Sequence, residues 1–441
     1  MCVKWMQVDE DHQSFAAQPW HPAGGRDGQR EGVFIVNVET LAQMVTSDAA
    51  IRRRQRLQPA GGPGDKIFPP TYPGEYQNDP PRHVFERRMV NGEEVWCALV
   101  DSVQSQANRM EDALLRAIRK DGLRIPHVVV DFRDKGLLGL SEITSLDAPH
   151  RIYDAIMRDS LLDGRPFMES EVGLSLAQAS PGNATAILEI APTALIFGAW
   201  HSTGSGGGLG AKFARCLTSE IVAIGVPVDE IPRRDGTLVV RTAGRRTGSR
   251  IDPLGILRKV EVYKSDTNWD VVPDRAGKGA KKVRPSEINH GNITPSVDPL
   301  GITCDHLEHT FVLSFAGLRR LRFGGDERDR AGRVLLAALG LLAMLEQDRH
   351  GYALRSRCDL VPEQPAPLEV VHPDGSTDTL KLDLQGARAL YEEAFARAEA
   401  AGFRLRREPI RLIPQDKLVA IVMESQKLAL SGQGGEAEEE K

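Results

Sequence analysis

Residues 95–100 (VWCALV) form a short continuous apolar run, and the period then lengthens at once. Val103, Ala107, Met110, Leu114 and Ile118 recur at helical spacing, which predicts a buried strand running directly into an amphipathic helix. Asp101 or Ser102 stands where an N-cap is expected. Gln104 and Asn108 fall on one flank of the apolar stripe, Ser105 and Arg109 on the other. Amides and a guanidinium near a helix start suit sugar and phosphate oxygens, and they equally suit the polar rim of a core helix.

The same patterns predict strands at 32–38, 126–132, 184–190, 194–200, 237–241, 256–264, 311–315 and 404–412. Helices are predicted over 148–162, 211–224, 329–347 and 386–401. The helix at 329–347 is apolar, but it is short and holds Arg333, so it reads as core and not as a membrane span. Residues 58–81 are dense in Pro and Gly and predict a surface excursion. This order fits a mixed α/β (α+β) fold of the split-βαβ kind, with strand order left open.

Between the predicted strand 194–200 and the predicted helix 211–224 lies HSTGSGGGLGAKFAR, residues 201–215. Its glycines, among them Gly206, Gly207 and Gly208, let backbone amides approach a ligand without side chains in the way. A helix start after such a loop attracts anions, and Lys212 and Arg215 add formal charge, with His201 and Ser202 at the entrance. The loop lacks the Gly-Lys-Ser/Thr of a Walker A motif, because Ala211, Lys212 and Phe213 follow Gly210. Gly206, Gly208 and Ala211 do meet the looser GxGxxA dinucleotide pattern, though His201 to Ser205 intervene after the strand. A glycine loop that only punctuates the structure remains the plain alternative.

The chain has 441 residues, of which 41% are hydrophobic, enough for a substantial core. Its net charge of −5 hides an asymmetry: residues 233–284 hold 14 Lys and Arg against 6 Asp and Glu. A basic stretch on an acidic body suits a polyanion, or is simply a solvated loop. Within it, Arg245, Arg246 and Arg250 are expected at a turn between two strand-like runs, a basic-tipped hairpin with Tyr263 or Trp269 available for stacking. Residues 274–284 are too polar and glycine-rich to fold without a ligand. The turn PSEINHGNITP (285–295) then gathers Ser286, Glu287, Asn289, His290 and Asn292. Glu287 and His290 would make an acid/base pair if the site were catalytic, but no nucleophile or metal set accompanies them, and hydrogen bonding is the favoured role. Widely spaced cysteines without a CxxC pair, and an amino terminus without an apolar leader core, predict a cytoplasmic protein.

Four segments together, DSVQSQANRME (101–111), HSTGSGGGLGAKFARCLTSEIVA (201–223), PSEINHGNITPS (285–296) and LSFAGLRRLRF (313–323), resemble the CRISPR-associated RAMP backbone subunit of type I-G systems, formerly I-U, in the Cas-seven group. The resemblance runs from about residue 33 to 412 and implies an RRM-like (ferredoxin-like) palm elaborated by large finger and thumb insertions. It implies one elaborated domain over 31–430, with the basic insertion 233–296 as candidate thumb or finger, an irregular arm at 1–30 and a disordered acidic tail at 431–441. Its partners would be the guide crRNA, target DNA paired to that guide, further copies in a helical filament and other Cascade subunits (large, small and crRNA-processing), with no membrane. No cofactor, metal or catalytic residue is implied, since protein holds shape and phosphate while pairing reads sequence. The RNA-contacting set expected is Gln104, Asn108, Arg109, His201, Ser202, Gly206, Gly207, Gly208, Lys212, Arg215, Arg245, Arg246, Arg250, Ser286, Asn289, His290 and Asn292. Two rivals stay open: a nicotinamide-dependent oxidoreductase using Gly206, Gly208 and Ala211, and a metal-dependent ribonuclease using Glu287, His290 and Asp131.

Overall fold

The computed structural model describes residues 33–74, 81–201, 212–233, 236 and 238–430. Along the strand Ala50–Pro59, the side chains of Ile51, Arg53, Gln55 and Leu57 are buried and those of Arg54 and Arg56 are exposed. This period of two presses one face on a helical layer. Ala50–Pro59 pairs antiparallel with His306–Ser314, which pairs with Leu217–Ile224, which pairs with Glu93–Asp101. On its other side Ala50–Pro59 pairs with Cys358–Pro362. In chain order, strand 50–59, helix Val103–Asp121, strands 217–224 and 306–314, helix Asp326–His350 and strand 358–362 interleave two βαβ units. Their spatial order is fourth, first, third, second, which is the ferredoxin-like arrangement. The expected RRM-like palm is therefore present, and the strand 93–101 extends its sheet.

Helices 103–121 and 326–350 share one core with that sheet, through Met110, Leu114, Leu339 and Leu342 against Ile51, Leu217, Phe311 and Leu313. Gly340 brings the second helix close: a Cβ there would stand 3.2 Å from Leu217 Cδ1 and 3.3 Å from Leu313 Cδ1. Residues between helix 103–121 and strand 217–224 contribute to a separate five-stranded sheet closed by Ile410–Pro414. The basic stretch falls between two core strands and forms three small sheets. None of the helices among the described residues is long and apolar enough to cross a membrane.

Several local expectations are corrected. Residues 184–190 and 194–200 are mainly helical, as Thr185–Ile190 and Thr193–Phe197, because short apolar runs have no period and Pro192 starts the second helix. Residues 211–224 are not a helix: Lys212–Phe213 is a short strand and Leu217–Ile224 a core strand, favoured by its β-branched Thr218, Ile221, Val222 and Ile224. The helix expected at 148–162 is broken into the 3-10 turn Arg151–Tyr153, the one-turn helix Ala155–Arg158 and the strand Ser160–Leu162, with Arg151 at a φ of 54°. The basic-tipped hairpin is absent: Arg246–Arg250 is itself a strand, paired with Ile293–Asp298, while Leu238–Thr242 pairs with Val228–Pro232. Only Val262–Lys264 of the run 256–264 is strand, and Lys281–Val283, in the segment expected to be mobile, pairs with it. The strand expected at 32–38 is present but shorter, Val33–Ile35, paired parallel with Thr377–Lys381, and the helix Val38–Ser47, capped by Asn37, follows it; the helix Asp416–Leu430 was not foreseen. The arm 1–30, the tail 431–441, and Ser202, Gly206, Gly207 and Gly208 lie outside the described residues.

Candidate nucleic-acid interface

The helix 103–121 begins with Ser102, whose hydroxyl accepts from the Ser105 amide at 3.2 Å. Asp101, fully buried, accepts from Ser105 Oγ at 2.9 Å, Gln106 Nε2 at 2.6 Å, Arg109 Nε at 2.9 Å and Arg355 Nη2 at 3.1 Å. Arg109 also donates to the Leu354 carbonyl at 2.9 Å. Its guanidinium therefore serves the fold, unlike the phosphate role expected of it. Beyond Gln106, whose Oε1 accepts from Ser219 Oγ at 3.2 Å, Ser219 Oγ meets His309 Nε2 at 2.7 Å and His309 Nδ1 meets Tyr352 Oη at 3.2 Å. Tyr352 donates to Asp348 at 2.6 Å, and Asp348 pairs with Arg53. Burial first, and then Arg53, pulls the His309 pKa down to about 3, so the ring is neutral and the network holds its charge at its two ends.

The opposite flank, where Gln104 and Asn108 are exposed, descends on the same face to Glu111. Glu111 is buried and accepts two hydrogen bonds from Arg151, at 2.8 and 2.7 Å, while Arg151 Nη1 donates to the Gly198 carbonyl at 3.0 Å. The left-handed backbone at Arg151 is a strained conformation for a side-chain-bearing residue. A second guanidinium, Arg215, shares the neighbourhood: burial and then Arg151 lower its pKa, Glu111 opposes that, and its Nη1 is buried without a hydrogen-bond partner. Burial raises Glu111 to about 7 in spite of Arg151. Two cations thus compete for one carboxylate, and Arg215 is left uncompensated.

This cluster sits at the base of a hairpin, in which Trp200 pairs with Lys212 and Ala199 with Phe213. Lys212–Phe213 is a strand and no helix follows it, so the helix-dipole argument for an anion there falls away. What remains is charge: Lys212 Nζ stands 4.5 Å from the Trp200 ring centroid, and His201 stacks on Tyr153 with centroids 4.7 Å apart. Gly198, at a φ of 85°, permits the close approach, since a Cβ would lie 2.9 Å from Arg215 Cγ. The hairpin also removes the strand–turn–helix context that a GxGxxA dinucleotide site needs.

The remaining candidates gather in the basic insertion. Arg250 Nη2 donates to the Gly291 carbonyl at 3.2 Å, Arg246 pairs with Asp298 at 3.3 Å, and Arg245 with Asp229 at 3.2 Å. Asn289 ends the turn Pro285–Ile288 in a left-handed conformation, Asn292 Oδ1 accepts from the Asp252 amide at 2.6 Å, and His290 lies edge-on to Trp269 at 5.6 Å. Ser286 is exposed. The side chains of Glu287 and Asp131 are engaged, by the Arg284 amide and by Arg133, and no cluster of three metal-ligating side chains occurs among the described residues.

The described sequence-predicted residues thus fall into two groups, one at the hairpin base and polar helix flank and one in the insertion, with Arg109 apart from both in the Asp101 network. Sequence reasoning missed Glu111, Arg151 and Asp101 as members. Glu111 stands beside Met110 of the apolar stripe, where a carboxylate signals a buried cation, but only the fold supplies Arg151 as that cation.

Residues 51–228 match the family model of the CRISPR-associated protein GSU0053. Among solved structures the chain is similar to Csc2 of Thermofilum pendens, at 11% identity and a TM-score of 0.25, covering 89% of this chain and 80% of that one. No curated protein matches it.

Proposed function

We propose that this chain, whose residues 51–228 match a CRISPR-associated family model, is a non-enzymatic backbone subunit of a type I CRISPR interference complex. It polymerises along the guide RNA by contacts independent of sequence and presents that guide for pairing with target DNA. The observation that carries this reading is the uncompensated Arg215 beside Lys212 at the hairpin base, flanked by exposed Gln104 and Asn108. An unneutralised cation beside exposed amides suits a phosphodiester strand, and phosphate contacts position without reading bases. Arg246, Arg250 and the 285–292 turn form the second contact region.

Purified from a host carrying its guide RNA, the protein should retain RNA and show a nucleic-acid absorbance spectrum. Protein that carries no RNA and has no salt-dependent affinity for a guide-length oligonucleotide would sink the proposal.

A further inference from the structure

The LSFAGLRRLRF segment, residues 313–323, holds Arg319, Arg320 and Arg322. After the core strand 306–314 the chain makes the short helix Phe315–Leu318, and Arg319, which follows it, lines a cleft of about 460 Å³. Arg319, Arg330 and Arg333 line it together with Gln43, Thr46 and Ser47 from the end of helix Val38–Ser47, and Asp326 and Asp329. That volume is in the range that holds a nucleotide-sized ligand.

The charges of the lining do not cancel. Asp329 is saturated, accepting from the Phe323 amide at 2.5 Å, Arg322 Nη1 at 2.9 Å and Arg333 Nη2 at 2.9 Å. Arg319 is oriented by the carbonyls of Val45 and Asp48, both at 2.8 Å, and Arg333 by the Leu321 carbonyl at 2.8 and 3.1 Å. Carbonyl oxygens aim the Arg319 guanidinium without neutralising it, whereas Arg333 shares the Asp329 carboxylate with Arg322. Arg330 is exposed and has no side-chain partner among the described residues, and the same holds for Arg320 nearby. The segment that leads into Arg319 also adjoins the hairpin base: the Ser314 amide donates to the Cys216 carbonyl at 2.7 Å, and Cys216 directly follows Arg215. A Cβ on Gly317 would lie 3.4 Å from Cys216 Cα, so the arginine segment packs against the hairpin exit.

Arg320 lies outside the lining and close enough to Cys216 to act on it. We infer that this cleft is a second phosphate site, with Arg319 and Arg333 as its wall and Arg330 as its exposed donor, and that exposed Arg320 carries the RNA backbone across from Arg215. The inference rests on the guide-RNA reading and extends it to residues outside the glycine hairpin. It predicts that full-length Arg320→Ala/Arg330→Ala protein binds a guide-length uridine homopolymer with a log affinity against log salt slope shallower by about 1.4, two phosphates at about 0.7 each. The melting temperature should be unchanged, and Arg320→Lys/Arg330→Lys should keep the original slope. A wild-type slope in the alanine variant, in an assay where Lys212→Ala/Arg215→Ala does lower it, overturns the cleft alone. Wild-type protein that does not bind the homopolymer overturns the guide-RNA reading and the cleft together.

Discussion

The two flanks of helix 103–121 solve the burial of charge in opposite ways. On one, Asp101 takes up both Arg109 and Arg355, and contacts through Gln106, Ser219, His309 and Tyr352 lead on to Asp348, which pairs with Arg53, so each guanidinium has a carboxylate even though Arg53 Nε itself is buried without a partner. On the other, Glu111 satisfies Arg151 and leaves Arg215 with a buried, unpartnered nitrogen. A closed network specifies the fold, whereas an open one keeps a cation available for something outside the chain. The difference separates residues of identical chemistry: Arg109 and Arg215 are both arginines beside the helix, and only the second has charge to spare.

The sharpest way to break the comparison is at the closed flank. Asp101→Ala strands two guanidiniums and the Gln106 amide, and should cost about 3–5 kcal/mol in urea unfolding, the usual penalty for breaking a buried ion pair. A loss under 1 kcal/mol would show that the network is not closed on Asp101.

What the sequence conveyed and what it hid follow the same division. The helix at 103–121 and its Ser102 cap were legible because amphipathic period and capping chemistry are local. The palm was legible through family resemblance, but its strand order needed pairings between residues as far apart as Arg53 and Phe311. The glycine segment was misread because its flanks, 194–200 and 211–224, are short apolar runs in which tertiary pairing decides between helix and strand. Arg109 and Arg215 could not be told apart, since their difference lies in Asp101 and Arg151, each brought in by the fold.

A smaller effect comes from His309. Its folded pKa of about 3 lies below the ordinary value of 6.5, so between those limits the unfolded chain binds a proton that the folded chain refuses. Its contribution is whole above pH 6.5 and shrinks as pH falls, by about 1.4 kcal/mol per unit, or about 2 kcal/mol between pH 6.5 and 5. Comparing urea unfolding of the wild type and His309→Gln at the two pH values isolates this share. Equal pH dependence in both proteins would place the ring outside the closed network.

The open flank carries the central claim, and the most direct test is the binding of Lys212→Ala/Arg215→Ala protein to two guide-length RNAs of unrelated sequence. Stability should change by less than about 1 kcal/mol, because Arg215 has no hydrogen-bonded carboxylate to lose. Affinity should fall by the same factor for both RNAs, since a phosphate contact carries no base information. Unchanged affinity, or loss for one sequence only, would contradict the account.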